Sequence, residues 1–336
     1  MAEKHITVFG GSGFLGHCVV QRLAATGAII RVAGRHPSDA YDLQPLGDVG
    51  QIVALRADVR DPVATAAACA GVDAVVNLVG ILYESGKSSF RAIHVEGAGN
   101  VARAAAEAGA TRLVHLSAIG ADRRAPSEYG RSKAAGEKAV RDAFPAATIL
   151  RPSVIFGPED SFFNKFAALA RILPVLPVFG CPPPRLVLGP GGPSLDLYGD
   201  GGSKFQPAYV GDVADAVARV IARAEHAGAT FELGGPNVYS FRALMEMLLA
   251  QIGRKRWLVP VPFWVAAVQA FFLEMVPGAP LLTRDQLRMM RRDNVVGRNA
   301  AGFADLGIAP RAPETILPTY LDIYRKGGQF ASRVVI

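Results

Sequence analysis

The chain has 336 residues, half of them apolar, which is enough for a large α/β domain with a smaller second domain. Its formal net charge is +7, but the basic residues are dispersed along the chain, so nucleic-acid binding is not expected. Cys18, Cys69 and Cys181 are far apart, and neither they nor the six histidines show metal-ligand spacing, so we expect no disulfide, no bound metal and a reducing compartment.

Residues 6–16 predict a strand, a tight glycine turn and a helix. Four mostly apolar residues lead into Gly10, Gly13 and Gly16, and the set of glycines at 11, 13 and 16 also fits dinucleotide spacing. Such a turn lets a pyrophosphate lie at the helix N-terminus, where free N–H groups favour negative charge. The alternative is a glycine turn that only packs the helix on the strand. Because the strand begins so near residue 1, no signal or transit peptide is expected.

A second parallel strand is predicted over 29–33, and it ends at Arg35. An NAD-selective site would carry an acidic residue near this point to bind the ribose hydroxyls, whereas an arginine suits a 2′-phosphate. Arg35 therefore predicts NADP(H), and the alternative is a solvated loop arginine.

The third and fourth strands, predicted over 52–55 and 74–78, end near two further candidate contacts. Asp58 is placed either to meet the adenine edge or to cap the helix that begins at Pro62. Gly80 has no side chain, so the backbone beside it could run close to the cofactor ribose.

A fifth strand over 112–116 delivers Ser117 to the carboxyl edge of the sheet, where open α/β sheets bind their ligands. The helix predicted over 129–144 carries Tyr129 and Lys133 on one face. An ammonium beside a phenol would lower the phenol pKa and give a proton donor for a carbonyl, and Lys133 could also hold the nicotinamide ribose.

This combination resembles the short-chain dehydrogenase/reductase superfamily, in its extended and atypical branch. The matching stretches are the glycine turn, 77–80, Ser117, Tyr129 with Lys133, and 151–158. The resemblance implies an α/β fold, a Rossmann-type doubly wound parallel sheet with a smaller C-terminal α/β domain. It assigns the acid to Tyr129, the ribose and pKa role to Lys133 and the substrate-orienting hydroxyl to Ser117. The candidate cofactor contacts are Gly10, Ser12, Gly13, Phe14, Leu15, Gly16, Arg35, Asp58, Val59, Leu78, Val79, Gly80, Ser117, Tyr129, Lys133 and Pro152.

The pattern departs from active members of that superfamily around Ser117. Those members usually carry two or three hydroxyl residues here, whereas Ala118 and Ile119 follow Ser117 in this chain. The asparagine usual in the preceding helix is replaced by His94 or a neighbour. Cofactor binding is therefore expected, and catalysis is not.

The second half of the chain begins with an apolar helix predicted over 162–172. The Pro/Gly-rich stretch 173–202 is expected to be an irregular loop that covers a surface or a partner, or a disordered loop. A strand then leads to Asp212, which is placed to cap a helix over 213–223 that returns to the first domain. A short strand over 231–233 and a helix from Ser240 to about residue 252 follow. We expect a nucleotide-binding domain over 1–158, with 204–226 returning to it, and a smaller domain over 159–336.

An almost wholly apolar helix is predicted after Pro262, within residues 257–282. At about fourteen residues it is shorter than the ~18 residues of a membrane span. It therefore fits a buried helix, a partner groove or a membrane interface. Four arginines follow on a further predicted helix and would face lipid head groups or an acidic partner; they are Arg284, Arg288, Arg291 and Arg292.

Most of the chain resembles a narrower family, the NADPH-binding accessory subunits of respiratory complex I. The resembling stretches are 5–16, 129–138, 155–160, 205–213, 283–286 and 293–296. The resemblance implies one NADPH kept as a structural cofactor. It also implies partners in the peripheral arm near the quinone site and lipid contact through 257–292. The location would be the cytoplasmic face of a bacterial inner membrane, or the matrix side in a mitochondrion. The stretch 181–199 is longer than in that family.

Two alternative functions remain open from the sequence. One is a free NADP-dependent reductase or epimerase acting on a sugar nucleotide, sterol or isoprenoid, and the other is a redox-sensing regulator.

Overall fold

The computed structural model describes residues 4–189, 192–276 and 278–328, which divide into two units. The first comprises 1–152, 210–234 and 296–310, and the second comprises 153–209, 235–295 and 311–336. The first unit thus ends earlier than the expected residue 158, and its returning segment is 210–234 rather than 204–226. It also includes 296–310, which the sequence did not predict, because Ala301 accepts a backbone hydrogen bond from Glu232 in the returning strand.

A seven-stranded parallel sheet forms the centre of the first unit. Its strands are β1 (His5–Phe9), β2 (Ile29–Gly34), β3 (Ile52–Arg56), β4 (Ala74–Asn77), β5 (Arg112–Leu116), β6 (Thr148–Pro152) and β13 (Thr230–Leu233). They lie in the order β13-β6-β5-β4-β1-β2-β3. The strands are mostly apolar, as expected of a sheet buried on both faces. Its helices are α1 (Phe14–Ala24), α2 (Pro62–Cys69), α3 (Ala98–Glu107), α4 (Glu128–Ala143) and α6 (Val210–Ala222), with a 3-10 helix over Pro37–Leu46. The Rossmann-type doubly wound sheet predicted from the sequence is confirmed.

The order of the strands reverses between β1 and β4, which pair with Phe9 opposite Asn77. Crossovers on either side of this point leave a crevice at the carboxyl ends of the strands, where doubly wound sheets bind nucleotides. The glycine turn follows β1 and residues 78–80 follow β4, so this reversal positions both predicted segments together.

The helix that precedes β5 begins as a π-helix over Arg91–Gly97 and becomes α-helical at Ala98. A π-helical turn is rare, and such turns occur often at functional sites. The π-helix packs against α4 at Gly136, where an added Cβ would lie closer than 3.0 Å to the carbonyl oxygen of His94. The close approach of the two helices therefore requires glycine.

The second unit is built from short elements around an aromatic core. Its strands are β7 (Ile155–Phe156), β8 (Val175–Phe179), β9 (Arg185–Gly189), β10 (Gly192–Asp196), β11 (Lys204–Phe205), β12 (Ala208–Tyr209), β14 (Tyr239–Ser240) and β15 (Trp257–Val261). Its helices are α5 (Phe163–Ile172), α7 (Phe241–Gln251), α8 (Phe263–Glu274), α9 (Arg284–Met289) and α10 (Pro313–Ile316). The fully buried Phe241 ring meets those of Phe162, Phe166, Phe179 and Phe205. No helix in the described part of the chain is long and apolar enough to cross a membrane.

The expectation that 173–202 holds no regular element is wrong. β8 pairs in parallel with β15, and β9 pairs with β10 as an antiparallel hairpin. Pro177 is tolerated because β8 pairs with a single strand, so its missing N–H can face away from the ladder. Residues 190 and 191 lie outside the described residues.

Two further local predictions are corrected by the structure. Asp212 does not cap a helix starting at residue 213, because α6 begins at Val210 and encloses it. The four arginines do not share one helix either, since α9 ends at Met289. Arg291 and Arg292 follow the helix, and the guanidinium of Arg291 lies over the Phe263 ring at 5.7 Å.

The apolar helix α8 is exposed along much of its surface. Only Ala266 and Ala270 are buried, and the fully buried alternative is therefore wrong. Its exposed side chains and those that follow it are Trp264, Val268, Phe271, Phe272, Met275 and Val276. Water-exposed apolar side chains in such a continuous stretch mark an interaction surface.

Candidate nucleotide site

The glycine turn between β1 and α1 has the geometry of a phosphate cradle. Gly10 has a φ of +78°, and a Cβ there would lie 3.3 Å from Val79. Gly13 is the N-cap of α1, and no side chain caps that helix. The N–H groups of Phe14 and Leu15, in the first turn of α1, therefore have no side-chain cap. This arrangement fits an anionic group.

Gly16 holds the turn closed. A Cβ at this position would lie closer than 3.0 Å to the backbone oxygens of Gly10 and Gly11. Gly13 differs, because its nearest neighbour to an added Cβ is the Gly10 oxygen at an ordinary 3.4 Å. One glycine is thus required by the fold, while the other leaves open space that a ligand can use.

The next group of candidates lies at the ends of β2 and β3. Arg35 directly follows β2 and is exposed. Asp58 pairs with Arg60, whose Nη2 lies 2.5 Å from Oδ2, and this hydrogen bond, with help from the charge of Arg35, holds the Asp58 pKa below its usual value.

Asp58 does not cap α2, so that alternative is wrong. Asp61 is the cap instead, and its Oδ1 accepts the N–H groups of Val63 and Ala64 at 2.9 and 3.2 Å. The adenine-edge interpretation of Asp58 stays a prediction. Its neighbour Val59 is buried.

Residues 78–80 bring the end of β4 close to Lys133. The Asn77 side chain accepts the N–H of Val79 at 3.1 Å and fixes the turn after Leu78. A Cβ on Gly80 would lie 3.1 Å from the Lys133 Nζ. Because Gly80 lacks a side chain, the lysine head reaches this part of the crevice.

Tyr129 and Lys133 share a face of α4, but their electrostatics differ from the prediction. The Lys133 Nζ lies 5.9 Å from the centre of the Tyr129 ring and donates a hydrogen bond to the Leu116 carbonyl at 3.1 Å. Burial raises the pKa of Tyr129 to about 12 and lowers the pKa of Lys133 to about 8. The expected lowering of the phenol pKa is wrong, because desolvation of the buried Tyr129 disfavours the phenolate.

His94 connects the π-helix to this pair, and the sequence indicated it only as a substitute for the usual asparagine. Its Nε2 accepts the N–H of Ile81 at 3.0 Å, so the ring proton lies on Nδ1 and is donated to Ser132 Oγ at 2.8 Å. Ser132 in turn donates to the Tyr129 carbonyl at 2.8 Å. Burial lowers the pKa of His94 to about 2, so the ring is neutral and acts as a fixed brace between the π-helix and α4.

Ser117 follows β5 at the same edge of the sheet. Its N–H donates to Leu150 at 2.7 Å, while Pro152, at the end of β6, accepts the N–H of Ile119 at 3.0 Å. Within the described residues the buried Ser117 Oγ has no hydrogen-bond partner. A buried hydroxyl without a partner costs free energy, so this atom fits the polar part of a bound ligand. No group of three potential metal ligands occurs in the described chain.

A phosphate cradle at the reversal point of a parallel sheet, with a Tyr and a Lys one helical turn apart, defines a nucleotide-binding protein of the short-chain dehydrogenase/reductase type. The sequence profile of the NAD dependent epimerase/dehydratase family matches residues 6–234, and the chain belongs to that family.

Within this family the chain is similar over nearly its whole length to subunits of complex I. It is 34% identical to "NADH dehydrogenase (ubiquinone) 1 alpha subcomplex subunit 9, mitochondrial" of Arabidopsis thaliana, over 98% of this chain and 80% of the relative. The Mus musculus protein of the same name is 33% identical, over 90% of this chain and 76% of the relative. Among solved structures, an NADPH-dependent quinone oxidoreductase of Escherichia coli complexed with NADPH has a TM-score of 0.70 and 22% identity. That comparison covers 92% of this chain and 97% of the other, and shows the shared fold.

Proposed function

We propose that this protein is an accessory subunit of complex I that keeps one NADPH bound as a structural cofactor and does not turn it over. The observation that carries the proposal is the phosphate cradle at the glycine turn, and the lack of a second hydroxyl residue directly after Ser117 supports the absence of turnover. The similarity to complex I subunits over 98% of the chain supports the assembly.

The cofactor would be held by backbone at the glycine turn and by side chains at either end. Ser12, Phe14 and Leu15, which lie in the turn and at the helix N-terminus, would bind the pyrophosphate. Arg35 would pair with the 2′-phosphate. Lys133 and the unpartnered Ser117 hydroxyl would meet the nicotinamide half. When bound, NADPH supplies a hydride donor.

Turnover would also need a proton donor. A general acid works best with a pKa near the operating pH, and burial moves the Tyr129 pKa in the opposite direction, to about 12. Ala118 and Ile119 provide no second hydroxyl beside Ser117. The His94 brace keeps α4 in place without supplying a titrating group at neutral pH.

The segment 257–292 would contact the membrane and neighbouring subunits of the peripheral arm near the quinone site. Exposed Trp264 and Phe272 could enter the boundary between head groups and acyl chains, as amphipathic interfacial helices do. Arg284 lies over the Phe271 ring at 5.3 Å, which places a cation beside the apolar surface. The protein would then lie on the cytoplasmic face of a bacterial inner membrane, or on the matrix side in a mitochondrion.

Native purification from solubilised membranes and from the soluble fraction tests the proposal. We expect complex I subunits to co-purify and denaturation to release about one NADPH per chain. Tyr129→Phe should leave both the nucleotide content and the co-purification unchanged, because neither requires proton transfer from the phenol. A soluble monomer or dimer that loses its nucleotide readily would refute it.

One observation favours a second function, that of a free NADP-dependent reductase or epimerase. Tyr129 and Lys133 both lie on α4, one helical turn apart. This function predicts NADPH oxidation that depends on an added sugar nucleotide, sterol or isoprenoid and is lost in Tyr129→Phe. Turnover of that kind would overrule the structural role.

A further inference from the structure

A cavity of about 480 Å³ lies in the second unit. It is bounded by α7, by the basic run that follows this helix and by the start of β15. Its lining residues are Tyr198, Arg242, Glu246, Leu249, Lys255, Arg256, Trp257 and Leu258. None of them belongs to the candidate nucleotide site.

Positive charge predominates in this cavity. Arg242, Lys255 and Arg256 face a single lining carboxylate, that of Glu246. Lys255 is exposed, and its side chain forms no hydrogen bond or ion pair with any residue in the described part of the chain. The cavity therefore carries positive charge that its own residues do not neutralise.

The guanidinium of Arg242 is held in a fixed orientation. Its Nε donates to Glu246 at 2.7 Å, and its Cζ lies 4.1 Å from the centre of the Tyr198 ring. Tyr198 is itself anchored, since its hydroxyl donates to the Leu258 carbonyl. With Nε occupied, the outer edge of the guanidinium remains for two parallel hydrogen bonds, the geometry that suits a phosphate group.

The aromatic side chain beside these cations indicates where the phosphate comes from. Trp257 is 80% exposed, although tryptophan is a residue that proteins usually shield. Trp side chains are enriched at the head-group level of membranes. Trp257 also precedes α8 by only six residues, about 20 Å of extended chain at most, and α8 carries the exposed apolar side chains.

We infer that this cavity binds the phosphate of an anionic phospholipid, with Arg242 and Lys255 on the phosphate and Trp257 at the head-group level. The inference rests on the membrane contact proposed above, and it deepens that proposal by naming the lipid class and the residues that select it. The apolar surface of α8 would bind membranes of any lipid composition, and the cavity would add a preference for negatively charged lipids.

Vesicle flotation of the full-length protein tests this assignment. One set of vesicles is phosphatidylcholine alone, and the other also contains phosphatidylglycerol. We expect tighter binding to the second set, and Lys255→Gln and Arg242→Gln should each weaken that binding about fivefold, because one cation near an anionic surface contributes about 1 kcal/mol. Arg298→Gln removes the same charge from an exposed site in the first unit and serves as the matched control. Binding to phosphatidylcholine alone should be equal in all four proteins.

The possible results separate the two proposals. If neither vesicle binds the wild-type protein, the membrane contact itself fails and the lipid site fails with it. If vesicles bind but Lys255→Gln and Arg242→Gln behave as Arg298→Gln does, only the lipid site is overturned. If inorganic phosphate or glycerol phosphate at millimolar concentration displaces the protein from anionic vesicles, the cavity takes free phosphate compounds and the lipid assignment is wrong.

Discussion

The two glycines of the phosphate cradle allow folding and nucleotide binding to be tested separately. In Gly13→Ala the new methyl group meets only the Gly10 oxygen, at 3.4 Å, and the φ of −85° at this position suits any residue. We expect the nucleotide-free protein to change in stability by less than about 1 kcal/mol, the scale of an N-cap substitution. The methyl group nevertheless occupies the space over which the pyrophosphate would pass.

The loss of binding can be estimated from the interactions at the helix N-terminus. One hydrogen bond to a charged group contributes about 1.5–3 kcal/mol, so holding the pyrophosphate away from α1 should raise the Kd for NADPH by roughly 10- to 150-fold. Titration calorimetry on nucleotide-free protein measures this change. Wild-type affinity in Gly13→Ala would refute the placement of the pyrophosphate at this turn.

Gly16→Ala should instead damage the fold. Its methyl group would meet the backbone oxygens of Gly10 and Gly11 closer than 3.0 Å, and backbone cannot move aside as a flexible side chain can. Overpacking costs about 1–3 kcal/mol, against a gain of about 1 kcal/mol when alanine replaces glycine in a helix. Because the clash is with backbone, the upper end of that range applies, and the net loss of about 2 kcal/mol should lower the melting temperature by several degrees. An unchanged melting temperature would contradict the steric argument.

Three further predictions concern the adenosine end and the buried histidine. Arg35→Asp should weaken NADPH binding far more than NADH binding, because only NADPH carries the 2′-phosphate; equal weakening in calorimetry would discard that assignment. Asp61→Ala should cost about 1 kcal/mol in urea unfolding by removing the α2 cap while leaving NADPH affinity unchanged, and Asp58→Ala should spare the cap and lower the affinity. His94 stays neutral in the folded protein, with a pKa of about 2, while the unfolded chain takes up this proton below about pH 6.5. The free energy of unfolding should therefore fall as the pH decreases below 6.5, and His94→Gln should flatten that slope; an equally steep slope in the variant would exclude His94 as a source.

The strands of the first unit and the glycine turn could be predicted because their signals are local. A mostly apolar strand that leads into Gly10 allows few alternatives, and the other strands of the sheet are likewise short, mostly apolar segments. The N-cap of α2 could not be predicted in this way. Asp58 and Asp61 both precede Pro62, and only the geometry shows which of them meets the free N–H groups of α2.

The site chemistry depended on burial, which sequence spacing does not report. Tyr129 and Lys133 were placed correctly on one face of α4, but the direction of the phenol pKa follows from desolvation of the buried ring. The brace formed by His94 and Ser132 joins residues 38 positions apart and has no local signature. For the same reason, β8 was missed in a Pro/Gly-rich stretch, because its partner β15 lies some 80 residues further along the chain.

The place of β13 at the edge of the sheet has a consequence for the order of folding. Six strands of the sheet are complete once residue 152 has been synthesised, but β6 lacks its outer neighbour until residues 230–233 arrive. Meanwhile the backbone groups along the outer edge of β6 are unpaired, and an exposed strand of this kind can pair with other chains. The nascent protein therefore passes through a stage in which aggregation competes with folding. A fragment ending near residue 158 would remain at that stage permanently, so we expect the nucleotide-binding unit to be obtained in soluble form only when the chain continues through its seventh strand.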